Sequence, residues 1–369
     1  MKKFTVLMCA LAVCLLAACS PEAPAAATTS RNPQTPPAEA DLSEEAKAPP
    51  APPEPEKSPE DAAKEAGAYE VGQIMVLMYH GLEDADAPSN SYRRTLKDFR
   101  ADLRTLYDEG YRTLSMSDYI SDNITTPAGK TPVVLTFDDG LPSCLTLEKG
   151  TDGSLAPKAD CAVGIMNEFY EAHPDFGRNA IFYVNAHPFD EGAGTSADGL
   201  RYLAENGYEI GNHTFNHDQL DKLSREKLLA EITDVEKLVR EALPDYKMTS
   251  LSYPFGIRPK EDLRGLIEKG EYDGVSYEYR AAVRVGDSGT ASAPNRKDFD
   301  PMNLPRVRAS DDDPAGTDLG GMFRRFREHP EYRYISDGDP ATVALPEEFA
   351  DNLDEASLGG KTAVLYTAN

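Results

Sequence analysis

The sequence predicts an α/β protein built on a parallel sheet. Three observations carry this: strand-like apolar runs alternate with helical patterns, the run 133–137 breaks straight into two carboxylates and a glycine, and the helical stretch 225–242 bears a one-sided apolar stripe. Strand-like runs lie at 74–79, 111–114, 133–137, 180–184, 208–211, 249–253, 274–277 and 304–308. The clearest helices are expected over 96–109, 162–172 and 225–242. In the last of these, Ser224 supplies an N-cap, and Leu228, Leu229, Ile232, Val235, Leu238 and Val239 form one stripe that reads as core.

The chain opens with Met1-Lys2-Lys3, an apolar run to Ala18, and Cys19. A short basic end before about fifteen apolar residues predicts a secretory signal over 1–18, too short for a comfortable membrane span. Leu16-Ala17-Ala18-Cys19 looks like a bacterial lipobox, which makes Cys19 the lipidated first residue of the mature chain; plain signal cleavage is the alternative. Either way the chain is exported. A lipidated form sits on the envelope through acyl chains, at the outer membrane if the host has two membranes and otherwise on the outer face of the plasma membrane. Residues 19–68 are rich in Pro, Ala and Glu, a composition that cannot bury a core and reads as a semi-rigid, disordered spacer. Fully extended, it reaches roughly 150 Å.

Residues 69–369 are enough for one large domain, with a C-terminal extension from about 311. In that extension a basic helical segment is expected near 322–327, and a closing strand pair at 353–358 and 363–366. The formal net charge of −25 argues against nucleic acid as a partner, since phosphate binding needs a basic patch. It is compatible with neutral sugars or with products that gain positive charge. Cys144 and Cys161 are separated by a polar, Gly-containing loop, and in an exported chain they read as a disulfide that staples the insertion 141–160; metal binding by the two thiols is the sharper alternative.

Val133-Val134-Leu135-Thr136-Phe137-Asp138-Asp139-Gly140 is an apolar strand that breaks into two carboxylates at its carboxyl end, where α/β proteins gather their chemistry. Adjacent side chains on a strand point to opposite faces, so both Asp residues share one site only where the strand is turning into a loop. An Asx turn is the structural alternative. His213 and His217, four apart, have the spacing of a helical turn that grips one cation, and they also follow a strand. No Glu lies between them, so a base must come from elsewhere, and the Asp pair offers one.

Thr136-Phe137-Asp138-Asp139-Gly140, His213-Thr214-Phe215-Asn216-His217 and Ser252-Tyr253-Pro254-Phe255-Gly256 together resemble the signature motifs of the polysaccharide deacetylase family, the NodB-homology group or carbohydrate esterase family 4. The resemblance spans about 71–310 and implies a distorted (β/α) barrel of about seven strands. It matches Asp139, His213 and His217 to ligands of one divalent ion, zinc first among several possible transition ions, in an open site of the catalytic kind. Asp138 matches the general base, and the backbone N–H of Tyr253, before Pro254, the oxyanion donor. The usual late Leu-x-His motif is missing. Met78-Tyr79-His80-Gly81 instead resembles the rearranged branch of poly-N-acetylglucosamine deacetylases, which makes His80 the candidate acid. Ser252 stands where the family has an Arg that orients the catalytic Asp, and Arg306 is the candidate replacement. No Trp-bearing motif is present, so the wall on which a sugar would stack is unidentified. His187 and His173 read as structural. The implied activity is removal of N-acetyl groups from an envelope or extracellular amino-sugar polymer. An O-acetyl esterase acting on a polysaccharide such as xylan, and a non-catalytic glycan-binding lipoprotein, are the alternatives.

Overall fold

The buried run Gln73–Tyr79 (β1) lies at the centre of a nine-stranded sheet in a computed structural model that describes residues 57–84, 92–285 and 289–368. The signal, Cys19 and most of the spacer fall outside those residues. Further strands are Tyr111–Thr113 (β2), Thr131–Phe137 (β3), Ile181–Val184 (β4), Glu209–Asn212 (β5), Ser250–Ser252 (β6), Ala281–Val283 (β7), Ala291–Ser292 (β8) and Val307–Arg308 (β9). The order β7-β6-β5-β4-β3-β1 is parallel throughout, β9 adds to β1 in parallel, and β8 alone is antiparallel. Leu304 bridges to Val283 and Val307 pairs with Leu77, so the segment 304–308 joins the two ends of the parallel run. The result is the distorted (β/α) barrel expected, with every residue of β3 and β4 buried because both sheet faces are covered.

Helices α2 (Leu96–Asp108), α3 (Ala162–Ala172), α4 (Ser196–Glu205) and α5 (Arg225–Ala242) supply apolar faces to that cover. Each starts at a side-chain cap, Thr95, Cys161, Thr195 or Ser224, that accepts an otherwise orphaned N–H. The stripe read from 225–242 is buried apart from the half-buried Leu238.

Four expectations are corrected. The run 274–277 is one arm of a hairpin, Lys269–Tyr272 with Val275–Glu278, and the barrel strand is the short Ala281–Val283 that follows. The closing pair of the extension is Thr342–Pro346 with Thr362–Tyr366, in parallel; at 353–358 Asp354 instead caps a short 3-10 turn, its side chain accepting from Ala356 N. The spacer ends earlier than composition suggested, since Pro59–Ala66 (α1) is a helix capped by Ser58. Its Ala63 is buried with Ala344, Val364 and Tyr366, so the extension provides the apolar surface the spacer sequence lacks. Residues Glu56–Asn369 thus form one unit with its own core.

The fourth correction is the disulfide. Cys144 and Cys161 are free, buried thiols with separate engagements. Cys144 Sγ donates to His80 O (3.1 Å), whereas Cys161 Sγ donates to Lys158 O (3.1 Å) and accepts from Gly164 N as the cap of α3. Burial raises both thiols above their ordinary range, which keeps them protonated and unreactive. A thiol-reactive dye added to the unit without reductant is therefore expected to label neither until denaturant unfolds it, and then both.

Glu70 ties the two ends of this unit together. Its buried carboxylate accepts from Ala344 N (2.8 Å), Tyr334 Oη (3.0 Å), Ser336 Oγ (3.2 Å) and Asp337 N (3.2 Å). Burial, with Asp337 nearby, outweighs those donors and pushes the group from 4.5 up to about 7. Because the folded state then holds the proton more tightly than the unfolded chain, this contribution to stability is fully present below pH 4.5 and is lost as pH rises through about 7. Melting curves from pH 5 to 8 should show a decline in Tm that is smaller in Glu70→Gln.

Candidate active site

Strand β3 ends at Phe137, and its two carboxylates diverge because the chain turns at once. Asp139 has φ 72° and Gly140 φ 61°, and a Cβ on Gly140 would lie 2.9 Å from Pro188 Cβ, so only glycine fits there. Asp138 stays inside the barrel, 1% exposed, while Asp139 swings toward a cavity of about 550 Å³ at the carboxyl ends of the strands. His80, Asp138, Asp139, His213, His217 and Tyr253 all line this cavity, as do Tyr92 and Phe255. A larger cavity, about 730 Å³, opens beside the hairpin at the amino end of β6 and contains none of the motif residues.

The histidines do not sit on a helix. Beyond β5 the chain forms an irregular loop in which Thr214 (φ 60°) and His217 (φ 58°) are left-handed. Phe255 (φ 58°) shares that conformation, so backbone strain is concentrated round this cavity. The loop is held by residues that the motifs did not single out. Asn212 accepts from Thr214 N (2.8 Å) and donates to Ile232 O (2.9 Å), and Glu231 of α5 accepts from Asn216 N (2.7 Å) and Asn216 Nδ2 (2.6 Å). The available signal was Glu231 itself, a carboxylate three residues after Leu228 and four before Val235, on the apolar side of its helix.

Asp139 Oδ1 lies 3.4 Å from His213 Nε2 and 3.7 Å from His217 Nε2. The donor atoms of these three residues fall within 4.8 Å of one another. His213 Nδ1 donates to Ser252 O (2.9 Å), which turns Nε2 toward the carboxylates, where it is buried without a hydrogen-bond partner. Burial works against an imidazolium there, but Asp138 and Asp139 outweigh it and raise His213 above its ordinary range. The pocket therefore favours positive charge between Nε2 and Asp139. A proton or a divalent cation meets that demand, and one carboxylate with two imidazoles is a donor set that fits zinc and its neighbours.

Arg306 lies beneath Asp138, fully buried at the start of β9. Its Nη1 donates to Asp138 Oδ1 (2.7 Å) and Thr136 Oγ1 (2.9 Å), and its Nη2 to Asp138 Oδ2 (2.6 Å) and Ser252 Oγ (3.0 Å). Nε donates to Arg284 O (3.0 Å), and Ser252 Oγ donates to Asp138 Oδ2 (3.1 Å). Burial alone would raise the Asp138 carboxyl, but Arg306 and His213 hold it well below the usual carboxylate range.

His80, just beyond β1, places Nε2 3.9 Å from Asp138 Oδ2, and burial lowers its pKa. Tyr253 corrects the expectation for its backbone: the Tyr253 N–H donates to Val283 O (2.9 Å) in the sheet, and Pro254 has none. The next N–H along, that of the exposed, cavity-lining Phe255, makes no hydrogen bond among the described residues. His187 is exposed away from the cavity, and His173 caps the end of α3.

The chain is similar to several known proteins. YxkH of Bacillus subtilis, a protein named as a polysaccharide deacetylase, is 25% identical over 233 residues, covering 62% of this chain and 73% of the relative. Among solved structures, the Streptococcus pyogenes deacetylase PplD in complex with acetate aligns at 20% identity and TM-score 0.47, covering 68% of this chain and 97% of that one. IcaB from Ammonifex degensii aligns at 19% identity and TM-score 0.44, with coverages of 68% and 97%. Residues 125–273, which hold the Asp pair, the His pair and Tyr253, match the polysaccharide deacetylase family.

Proposed function

We propose that this protein is an exported, metal-dependent N-deacetylase that hydrolyses acetamide groups on an envelope or extracellular amino-sugar polymer. The observation that carries the reading is the polar row Asp139–His213–His217 beside an Asp138 fixed by Arg306, at the floor of one cavity. A divalent ion held by Asp139, His213 and His217 would supply an acidified water and polarise the acyl oxygen.

The protein's own groups account for the proton movements. Asp138 is ionised at neutral pH, and Arg306 engages each of its oxygens from below, leaving lone pairs toward the cavity to accept the proton of the attacking water. As the C–O bond forms, negative charge grows on the acyl oxygen, and the unengaged Phe255 N–H is the backbone donor at the rim that can meet it. Breaking the C–N bond releases an amine, which must leave protonated. His80, its Nε2 3.9 Å from Asp138 Oδ2, can pass on to the leaving nitrogen the proton that Asp138 takes from the water, with acetate as the other product. The lipidated Cys19 and the spacer would hold this site at a distance from a membrane.

The test is acetate release by the zinc-loaded unit Glu56–Asn369 from N-acetylglucosamine oligomers, peptidoglycan and acetylated xylan in parallel, with Asp138→Asn as control. Release from an amino-sugar substrate, lost in the variant, is the expected result. Release from xylan alone would make the protein an O-acetyl esterase, and no release with no bound metal would reject the hydrolase.

A further inference from the structure

We infer that Tyr92 forms a stacking subsite for the pyranose unit next to the one deacetylated. The inference rests on the polymer reading above and supplies the sugar-binding wall that the absence of Trp left unidentified. Large apolar side chains are exposed at few described positions, namely Tyr92, Phe255, Tyr332 and Leu365. Two of these, Tyr92 at 46% and Phe255 at 55%, line the same cavity. They meet different histidines of it, Tyr92 with its ring perpendicular to that of His80 (centroids 5.3 Å apart) and Phe255 against His217 (4.6 Å). Exposed aromatic surface costs solvation and is retained where something apolar covers it. In a cavity whose floor is carboxylate and imidazole, a pyranose offers both needed chemistries, hydroxyls at its edge and C–H groups on its face.

Tyr92 is also held in place, as a recognition surface has to be. Arg308 sets its guanidinium 5.8 Å from the ring centroid. Two residues on, the buried Arg94 donates through Nε (2.9 Å) and Nη2 (2.6 Å) to Asp102, which also accepts from Tyr79 Oη (3.1 Å), and pairs through Nη1 with Asp311 (2.6 Å). The backbone carrying Tyr92 is therefore tied to α2, to β1 and to the start of the C-terminal extension. A ring fixed before the ligand arrives loses little freedom on binding.

The experiment compares the zinc-loaded wild type, Tyr92→Ala and Tyr92→Phe on the N-acetylglucosamine monomer and tetramer, with melting temperatures to confirm folding. Tyr92→Ala is expected to raise KM for the tetramer about tenfold, a factor corresponding to ~1.4 kcal/mol, and to narrow the preference for tetramer over monomer. Tyr92→Phe should recover KM to within about twofold, because the stacking face remains. Titration of the tetramer into the same variants on an Asp138→Asn background reads the affinity loss without turnover. A tetramer KM unchanged in Tyr92→Ala, while the wild type releases acetate, would overturn the subsite and leave the deacetylase reading standing. A loss confined to kcat that Tyr92→Phe does not recover would assign the ring to holding His80 and would also overturn it. A wild type that neither binds nor hydrolyses the tetramer would overturn the subsite, while acetate release from peptidoglycan in the parallel assay above would keep the deacetylase reading standing.

Discussion

Arg306→Ala is expected to destabilise the protein by about 3–5 kcal/mol, because it strands the Asp138 carboxylate in a site that is 1% exposed. In a protein of this size that corresponds to a fall in Tm on the order of 10 °C, measurable by calorimetry or circular dichroism. Activity should fall with it, since the guanidinium fixes both oxygens of the carboxylate and keeps it ionised. Arg306→Lys retains the charge but not the two-pronged geometry, and is expected to lie between. The combination of Asp138→Asn with Arg306→Met separates fold from chemistry. With both charges gone, stability should recover relative to either single change, while acetate release stays absent. Recovery of activity in that double variant would remove Asp138 from the reaction.

The second large effect is expected at the cation site. His213→Ala and Asp139→Ala should each reduce bound zinc from about one per chain to near zero by elemental analysis, and lower activity more than about 100-fold, beyond the loss from a group that only orients a ligand. Metal added to the stripped wild type should raise Tm, increasingly with concentration, because only the folded chain presents the three donors together. Neither variant should show that rise. A stripped wild type equally insensitive to added zinc, manganese and cobalt would contradict the assignment.

The parts of the fold carried by long apolar periodicity were legible from the residues. The runs at 74–79 and 133–137 and the helices at 162–172 and 225–242 all stand where pattern and caps put them. What stayed hidden was set by tertiary partners. Ala281–Val283 is too short to signal a strand against the stronger hairpin beside it. The helix at Pro59–Ala66 depends on apolar residues nearly 300 positions away. That the Asp pair and the His pair share one cavity was legible, but the means of bringing His213 and His217 together was not: an irregular loop with left-handed Thr214 and His217 replaces the helical turn that the spacing suggested. Ser252 and Arg306 meet at Asp138 from different strands. The serine leaves room, and a guanidinium arriving from another strand fills it from below.

The strand that closes the barrel has a consequence for how the protein comes into being. Residues 304–308 join β7 to β1, and Arg306 rides on that segment. The N-terminal strand must therefore wait for a partner more than 200 residues downstream, a contact whose formation carries a high loop-closure cost and slows folding. Until it arrives the barrel is open and Asp138 has no counter-charge. A nascent or prematurely terminated chain can already contain every residue of the three motifs and still be inert, so catalytic competence reports that synthesis has run past the barrel's last strand.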